Sequence, residues 1–409
     1  MTDRSAVPAG YHVRRCTADD VDAVVAFHSQ RTDPADGEDF AFVARDSAAG
    51  PEWTAIAVEV ATGDIAAALT LLDEEVRIGT TMVPAGQVEM VASAPEHEGR
   101  GLVRSLMEWS ERESTRRGHL LAPMVGIPYF YRQFGYAYSA PLAPIVSLQQ
   151  PDRAVDPEIV VRRAGLADAP AIRELTVADQ SDADVAMAPS LRCQRWIVQR
   201  SGSESWVAER GGSVVATARM LTERDGADIG DLAASDDDAA HALLAHLAVD
   251  RSRLRVQSWP TAQRKRTLAE WTAGATSDPR DTDWLYARIP ELVALLDHLR
   301  PELQRRLDES GLSDLPERLT ISSYRSHVSA DLLDGRIGTF SAGGPMQAPN
   351  SQGAAGVPPD AWAPLLLGPH GALGLERLRP DVLLGPVRDV LGVLFPPLSA
   401  DIRTFYLVT

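Results

Sequence analysis

The stretch from Gln87 to Arg117 constrains the fold more than any other part of this sequence, because two regular elements meet there at a glycine-rich turn. QVEMVASA at 87–94 predicts a strand, and residues 102–117 carry apolar side chains on one helical stripe that ends at Gly118. Between them lies PEHEGRG, with Gly99 and Gly101. A strand that passes through a glycine turn into a helix predicts an α/β fold and leaves free N–H groups at the helix start.

The turn itself admits two interpretations. A glycine turn ahead of a helix is typical of a pyrophosphate site, because glycines let the backbone approach the ligand and the helix dipole favours negative charge. The spacing matches neither GxGxxG nor GxxxxGK[ST], which argues against a dinucleotide fold and an ATPase. As a bare pattern, GRG before a helix is more often a plain structural turn, so the site needs support from elsewhere in the chain.

The elements around the turn predict one α/β domain over residues 1–150. Apolar runs on both sides of Thr62-Gly63-Asp64 predict an antiparallel hairpin, and HLLAPMVG after the helix predicts a short buried strand. The order is therefore strand, helix, hairpin, strand, glycine turn, helix and strand.

A second region, residues 151–283, repeats the opening of the first. VVRRAGLADAPAI resembles HVRRCTADDVDAV, with a strand, an Arg-Arg pair and an aspartate at matching places, which is a weak internal-repeat signal. Where the first region has its glycine turn, the second has Ala234-Ser235-Asp236-Asp237-Asp238, with three carboxylates and no glycine. If the region is a duplicate, we expect it to have lost the phosphate site.

The third region, residues 284–409, has a different composition. DWLYARIPELVALL predicts a strand and then an amphipathic helix, which we expect Pro301 to interrupt. The chain end, TFYLVT, is too apolar for a frayed tail, so we expect it to be buried in or beside a site.

Composition excludes several classes of function. Over 409 residues, 40 basic and 57 acidic side chains leave a net charge of −17, which argues against nucleic acid binding and suits either a cationic small substrate or plain solubility. Cys16 and Cys193 stand alone, which predicts neither a disulfide framework nor a metal site. We find no secretion signal and no apolar run of about 18 residues, so we expect a cytoplasmic protein without a membrane partner.

Two segments at the proper separation resemble the GNAT N-acetyltransferases. VEMVASAPEHEGRGL resembles the acetyl-CoA strand and pyrophosphate loop, written R/Q-x-x-G-x-G/A, and FYRQFGY at 130–136 resembles the later F-Y-x-x-x-G-F/Y signature. The loop departs from the pattern, since Glu98 takes the Arg/Gln position and Val103 the last small position. We expect Arg100 and Arg104 to restore its positive charge.

The order of elements over the whole chain is similar to that of the enhanced intracellular survival (Eis) acetyltransferases. The resemblance implies an α/β fold of tandem GNAT domains, with mixed central sheets flanked by helices, followed by an α+β domain like the sterol carrier proteins. DWLYARIPELVALL, LLLGPHGAL and the apolar chain end carry the third-domain match. It also implies a homo-oligomer, with a hexamer favoured, and acetyl-CoA as co-substrate without a metal.

The resemblance assigns roles to individual residues. Tyr131 would protonate the departing thiolate, and the carboxylate of Thr409 would enter the active site as the base. The acetyl-CoA contacts would come from the strand end and the loop: Val91, Ala92, Ser93, Glu98, Gly99, Arg100, Gly101, Leu102, Val103 and Arg104. Of the tyrosines beside Tyr131, we expect Tyr129 and Tyr136 to serve in packing.

Acetyl transfer needs a deprotonated amine, a hydrogen-bond donor that stabilises the oxyanion, and a proton for the departing thiolate. Backbone N–H groups from Val91 to Ser93 are candidate donors. Glu89 rivals Thr409 as the base, since many smaller GNAT enzymes have a glutamate in this strand, although a solvated strand glutamate is the alternative.

The leading hypothesis is acetyl transfer to a primary amine of a small cationic molecule or a lysine side chain. Two alternatives stay open: a non-catalytic protein that binds acyl-CoA or a hydrophobic ligand with a decayed GNAT domain, and a longer-chain acyltransferase of secondary metabolism.

Overall fold

The computed structural model describes residues 7–31, 34–223, 226–249, 251–257, 268–273 and 283–406. Its strands are β1 Tyr11–Arg15, β2 Thr54–Glu59, β3 Ile65–Ile78, β4 Thr81–Ser93, β5 Ala122–Met124, β6 Ala137–Pro141, β7 Ile145–Ser147, β8 Ile159–Arg163, β9 Val185–Met187, β10 Glu204–Arg210, β11 Ser213–Glu223, β12 Gly226–Ala234, β13 Arg253–Gln257, β14 Trp284–Arg288, β15 Arg318–Ser322, β16 His327–Leu333, β17 Arg336–Ile337, β18 Ser341–Gly343, β19 Ala355–Gly356 and β20 Ala400–Ile402. Its helices are α1 Val21–Arg31, α2 Pro34–Arg45, α3 Leu102–Arg117, α4 Ala169–Asp179, α5 Leu191–Ile197, α6 Asp237–Ala248, α7 Leu292–Ser310, α8 Trp362–Leu367, α9 Gly371–Leu378 and α10 Arg388–Leu394.

The first sheet is built on the long hairpin of β3 and β4. Strands β1, β2, β3 and β4 pair antiparallel in sequence order. The far end of β3 also pairs with β9, which in turn pairs parallel with β20. Helix α3 lies against β3, β2 and β4, and it ends where predicted, because Gly118 adopts the left-handed conformation at φ 76°.

The sheets do not follow the segment limits predicted at residues 150 and 283. Strand β7, from before residue 150, extends the second sheet in the order β7-β13-β12-β11-β10-β8. Strand β14, from beyond residue 283, lies between β5 and β6 of the first region. Each region therefore completes the sheet of another.

The third region contains a sheet of β15 to β19 packed with helices α7 to α10. Helix α7 runs through Pro301 without a break, so the predicted interruption is wrong. Leucines buried on both sides of the proline, Leu299 and Leu303 among them, hold the helix against the core and outweigh the missing hydrogen bond. No helix in the described ranges is both long and apolar enough to cross a membrane.

Candidate active site

A bulge interrupts the pairing of β4 with β3 just before the predicted loop. Ala92 pairs with Ala68, but Glu89 pairs with Thr70, so β4 has one residue more than β3 between these two pairs. Met90 lies in this interval with φ 51°, a left-handed conformation that methionine rarely adopts. The bulge disrupts the ladder locally and leaves its extra residue unpaired, which makes the backbone N–H at this point a candidate donor to a ligand.

A groove of about 630 Å³ begins at this bulge and passes over the start of α3. It is lined by all but one of the residues predicted to hold the coenzyme, together with the predicted acid: Val91, Ala92, Ser93, Glu98, Gly99, Gly101, Leu102, Val103, Arg104 and Tyr131. Further walls come from Arg31, His97, Ile127, Phe130, Gln133 and Phe134. The structure thus collects into one concave surface two motifs that are about 30 residues apart in the chain.

The two glycines of the turn serve its backbone conformation. Gly99 and Gly101 have φ 72° and 87°, which favours glycine at both positions, and Gly101 directly precedes α3. A Cβ atom at Gly99 would meet no protein atom within 4 Å, and one at Gly101 would meet Pro8 Cγ at 3.9 Å. The space beside the helix start is therefore open to a ligand, with N–H groups at its wall.

Arg100, the one residue predicted to contact the coenzyme that is not among those that line the groove, stabilises the turn instead. Its guanidinium donates to the Tyr11 hydroxyl at 2.9 Å and to the carbonyl of Glu96 at 3.0 Å. The Tyr11 hydroxyl lies 2.8 Å from Nδ1 of the buried His97. These contacts tie the loop to β1.

Arg31 is a site residue that the sequence analysis missed. From the end of α1 it donates through Nε to the carbonyl of Ser93 at 2.5 Å and through Nη2 to Glu98 Oε1 at 2.7 Å. The acidic residue that departs from the loop pattern is thus paired with a cation, which keeps this end of the groove from being negative. Only the packing of α1 beside β4 reveals this, since the two residues are far apart in the sequence.

Tyr131 is buried at the inner wall of the groove, among Phe130, Phe134, Tyr136 and Tyr286. Burial and the nearby charge of Glu89 raise the pKa of Tyr131 to about 12, so its hydroxyl keeps its proton at neutral pH. Tyr136 is buried as expected, but Tyr129 is 73% exposed with φ 68°, so the packing role predicted for Tyr129 is wrong.

Glu89 is 8% exposed, which rules out the solvated strand glutamate. The buried side-chain amide of Gln87 donates to its carboxylate. Burial raises the pKa of Glu89 to about 8, with Asp39 and Glu74 adding to the rise while Gln87 and Arg200 oppose it. A carboxyl group with this pKa can accept a proton reversibly near neutral pH.

The predicted base Thr409 lies outside the described residues, which end at Tyr406. The segment before it is firmly held: Arg200 and Arg219 donate to the carbonyl of Phe405 at 3.1 and 2.8 Å, and Arg200 also pairs with the buried Asp39. Burial and the charges of Asp39, Asp36 and Glu89 hold the pKa of Tyr406 far above its usual range. Tyr406 is therefore close enough to Glu89 to be affected by its charge.

The matching turn of the second region is closed to a ligand. Asp236 Oδ1 accepts the N–H of Ala239 at 2.8 Å and so caps α6, while Arg210 donates to Asp236 Oδ2 at 2.9 Å. The side chain thus binds an N–H group at the helix start that an anion would otherwise bind, and the loss of a phosphate site here stays a prediction.

Residues 12–139 match the sequence profile of the acetyltransferase (GNAT) domain. The protein therefore contains a GNAT acetyltransferase domain, as the strand, turn and FYRQFGY segment predicted, and it is an enzyme of the acetyltransferase class. The sequence matches no curated protein.

Solved structures extend the likeness to nearly the whole chain. A probable N-acyltransferase from Enterococcus faecalis has a TM-score of 0.70 at 14% identity, over 97% of this chain and 100% of its own. A GCN5-related N-acetyltransferase from Anabaena variabilis has a TM-score of 0.70 at 14% identity, over 96% and 99%. Eis1 from Mycobacterium abscessus has a TM-score of 0.60 at 15% identity, over 96% and 99%. At these identities the likeness establishes a shared α/β fold with mixed sheets.

Proposed function

We propose that this protein, whose residues 12–139 match the GNAT acetyltransferase domain, transfers the acetyl group of acetyl-CoA to a primary amine of a small cationic molecule or a lysine side chain. The observation that carries the proposal is the groove at the β4 bulge, which brings a protonated Tyr131 to the predicted coenzyme loop, with the buried Glu89 on the same strand as the bulge.

The groove offers a partner for each part of the coenzyme. The turn from Gly99 to Gly101 and the start of α3 present N–H groups and the positive end of a helix dipole to the pyrophosphate. Arg104 adds positive charge at its wall, and Arg31 offsets the negative charge of Glu98. The bulge next to Val91 supplies N–H donors for the thioester oxygen, which becomes an oxyanion when the amine adds.

Glu89 and Tyr131 divide the proton transfers. The Glu89 carboxylate takes a proton from the ammonium group of the acceptor, and the free amine forms a C–N bond to the acetyl carbonyl. The C–S bond then breaks, and the thiolate takes the proton of the Tyr131 hydroxyl. Tyr131 regains a proton from the nitrogen through solvent, and Glu89 releases the ammonium proton to solvent, so the products are the N-acetyl amide, coenzyme A and one proton.

The charge of Glu89 changes the pKa of Tyr131 in the direction that the reaction needs. The negative charge of Glu89 raises the pKa of Tyr131, after burial, and thus keeps the acid protonated before reaction. Once Glu89 has taken the ammonium proton its charge is gone, which makes Tyr131 a better donor at the step where the thiolate leaves.

The charges near Glu89 support a cationic acceptor. Asp36 and Asp39 lie close enough to Tyr406 for their charges to raise its pKa, and Asp36 Oδ1 accepts from the Tyr406 hydroxyl at 3.3 Å. Arg200 neutralises Asp39, so Asp36 leaves a negative charge there, and Glu89 adds a second one whenever it is ionised. Such a surface favours a cationic amine over an anionic acceptor.

A repeated ion pair supports the proposed tandem arrangement. Arg14 pairs with Asp20 after β1, and Arg162 pairs with Asp168 after β8, each through two hydrogen bonds and six residues apart. In both places a short turn leads from the strand into a helix. The sterol-carrier-like third domain, the segment limits and the hexamer stay predictions.

Arg31→Ala should weaken acetyl-CoA binding about tenfold, because it removes one cation and leaves Glu98 unpaired beside the pyrophosphate. The double variant Arg31→Ala/Glu98→Ala should recover part of that loss, and Arg45→Ala, an exposed arginine at the end of α2, should change nothing. Calorimetric titration with acetyl-CoA measures all three. Equal affinities for the wild type and Arg31→Ala would remove Arg31 from the coenzyme site.

The function itself is tested in two steps. Calorimetry with acetyl-CoA asks whether the groove binds the coenzyme, and thiol release in the presence of spermidine, tobramycin or a lysine-containing peptide asks whether an amine is acetylated. Amine-dependent thiol release, with the acetylated product seen by mass spectrometry, is the expected result. Binding without any transfer would favour the non-catalytic acyl-CoA binding protein, and no binding would exclude both.

A further inference from the structure

The wall behind Tyr131 is completed by a strand from far along the chain. Strand β14 lies between β5 and β6, where Tyr286 pairs with Met124 on one side and Tyr138 on the other. Tyr286 is fully buried, and its ring meets that of Tyr131 edge to face at 6.0 Å between centroids. The first region therefore does not enclose its candidate acid alone.

Tyr286 and Tyr138 form a hydrogen-bonded pair. Their rings stack at 4.4 Å between centroids, and their hydroxyl oxygens are 2.8 Å apart. The Tyr286 hydroxyl also lies 3.3 Å from the carbonyl of Ile127, and the backbone N–H of Tyr129 donates to the Tyr138 hydroxyl at 2.8 Å. The Tyr286 hydroxyl donates towards the Tyr138 hydroxyl and the Ile127 carbonyl, and the Tyr138 hydroxyl accepts from Tyr286 and from the N–H of Tyr129, so each tyrosine is bonded to the loop.

The loop held in this way leads directly into Tyr131. Ile127 lines the groove, and Tyr129, with φ 68°, has a conformation that costs a non-glycine residue free energy unless its surroundings hold it. The loop also fixes the Tyr131 ring from one side, because a Cβ atom at Gly126 would lie only 2.4 Å from Tyr131 Cε2. A small shift of the loop would therefore move the Tyr131 hydroxyl.

We propose that the Tyr138–Tyr286 pair is a positioning device that holds the loop 125–129 and so sets the place of the Tyr131 hydroxyl, which makes β14 a part of the active site. Neither tyrosine donates a proton to substrate. The catalytic part of this inference rests on the proposed function, whereas the part that concerns the loop does not.

Tyr286→Phe and Tyr138→Phe remove one hydroxyl each and keep the rings. The matched control is Tyr324→Phe, because the Tyr324 hydroxyl, like that of Tyr286, donates to a backbone carbonyl, that of Asp381 in the third region. Hydrogen exchange of the full-length protein, followed by mass spectrometry, should show faster exchange in peptides covering 125–135 for the first two variants. Tyr324→Phe should leave these peptides unchanged.

Kinetics with acetyl-CoA and the amine that gives the fastest thiol release should then show kcat lowered about tenfold by Tyr286→Phe, with KM for acetyl-CoA within a factor of two. A positioned group that moves away from its reacting atom loses rate on this scale or more. The decisive comparison uses the double variant Tyr131→Phe/Tyr286→Phe. If the pair acts through Tyr131, this variant should have the same kcat as Tyr131→Phe alone.

Unchanged exchange in 125–135 would overturn the proposal whatever the kinetics, because the pair would not hold the loop. An equal loss of kcat in both backgrounds would also overturn it, since the tyrosines would then act on stability or on another group. If Tyr131→Phe kept full activity, the acid of the proposed function would be wrong, while the exchange result would still decide whether the pair holds the loop.

Discussion

Glu89→Gln should lower kcat for acetyl transfer by ~10²-fold or more, the usual scale for losing a positioned proton acceptor. The amide keeps the size of the side chain and its contact with Gln87 but cannot take the ammonium proton. Affinity for acetyl-CoA should be unchanged, since Glu89 is not among the residues that line the coenzyme groove. Steady-state kinetics and calorimetry on the same preparation separate the two effects.

The pKa of Glu89 makes this prediction depend on pH. With a pKa of about 8, the carboxylate form grows as pH rises to 8, so the rate of the wild type should rise over this range. The free energy of unfolding should instead fall as the pH rises over this range. The folded state holds the proton above the ordinary pKa of 4.5, so from 4.5 to about 8 Glu89 lowers the free energy of unfolding by about 1.4 kcal/mol for each pH unit.

Glu89→Gln has no such charge to bury, so its melting temperature should exceed that of the wild type by a margin that widens from pH 5 to pH 8. Glu75→Gln is the matched control, because Glu75 is an exposed glutamate on β3. Full turnover by Glu89→Gln would contradict the assignment. If activity fell instead on deletion of Val408 and Thr409, the base would be the terminal carboxylate.

Gly101→Glu should reduce acetyl-CoA affinity by two orders of magnitude or more. The new side chain would be strained at φ 87°, it would extend into the open space at the start of α3, and its carboxylate would repel the pyrophosphate. Calorimetric titration with acetyl-CoA measures the loss.

Gly63→Glu is the control that separates the effect of backbone strain from the loss of the coenzyme site. Gly63 has φ 81° and open space around it, like Gly101, but it lies in the exposed turn between β2 and β3. Both variants should lose similar stability, and only Gly101→Glu should lose the coenzyme. Equal binding by Gly101→Glu and Gly63→Glu would move the phosphate site away from the turn.

The elements that the sequence predicted well are those made by neighbours in the chain. Helix α3 begins after Gly101 and ends at Gly118, and the hairpin turns near Gly63, because apolar spacing and the backbone freedom of glycine act over a few residues. Most residues that were predicted for the coenzyme line one groove, since the loop and FYRQFGY each form a local structure.

The error at Pro301 shows the limit of that local reasoning. A proline weakens any helix taken alone, but the leucines of α7 bury their side chains against the third-region core on both sides of it. Both the proline and the leucines are visible in the sequence. Only the packing shows that burial of the leucines stabilises the helix by more than the proline destabilises it.

The candidate site depends on tertiary structure for its electrostatics. As a strand residue, Glu89 could be solvated or buried, and its pKa near 8 arises because the packed fold removes it from water and brings Asp39 and Glu74 near. Arg31 reaches Glu98 only because α1 packs beside β4.

Local sequence was thus enough for most of the secondary structure, for the glycine turn and for naming Tyr131 and Glu89 as candidates, because each depends on residues within one element. The pairing of Glu98 and the place of Tyr286 depend on contacts between residues about 70 to 160 positions apart, and the pKa of Glu89 depends in part on Asp39, which is 50 positions away. Pairing over such distances is set by the free energy of the whole packed chain, which no short pattern contains.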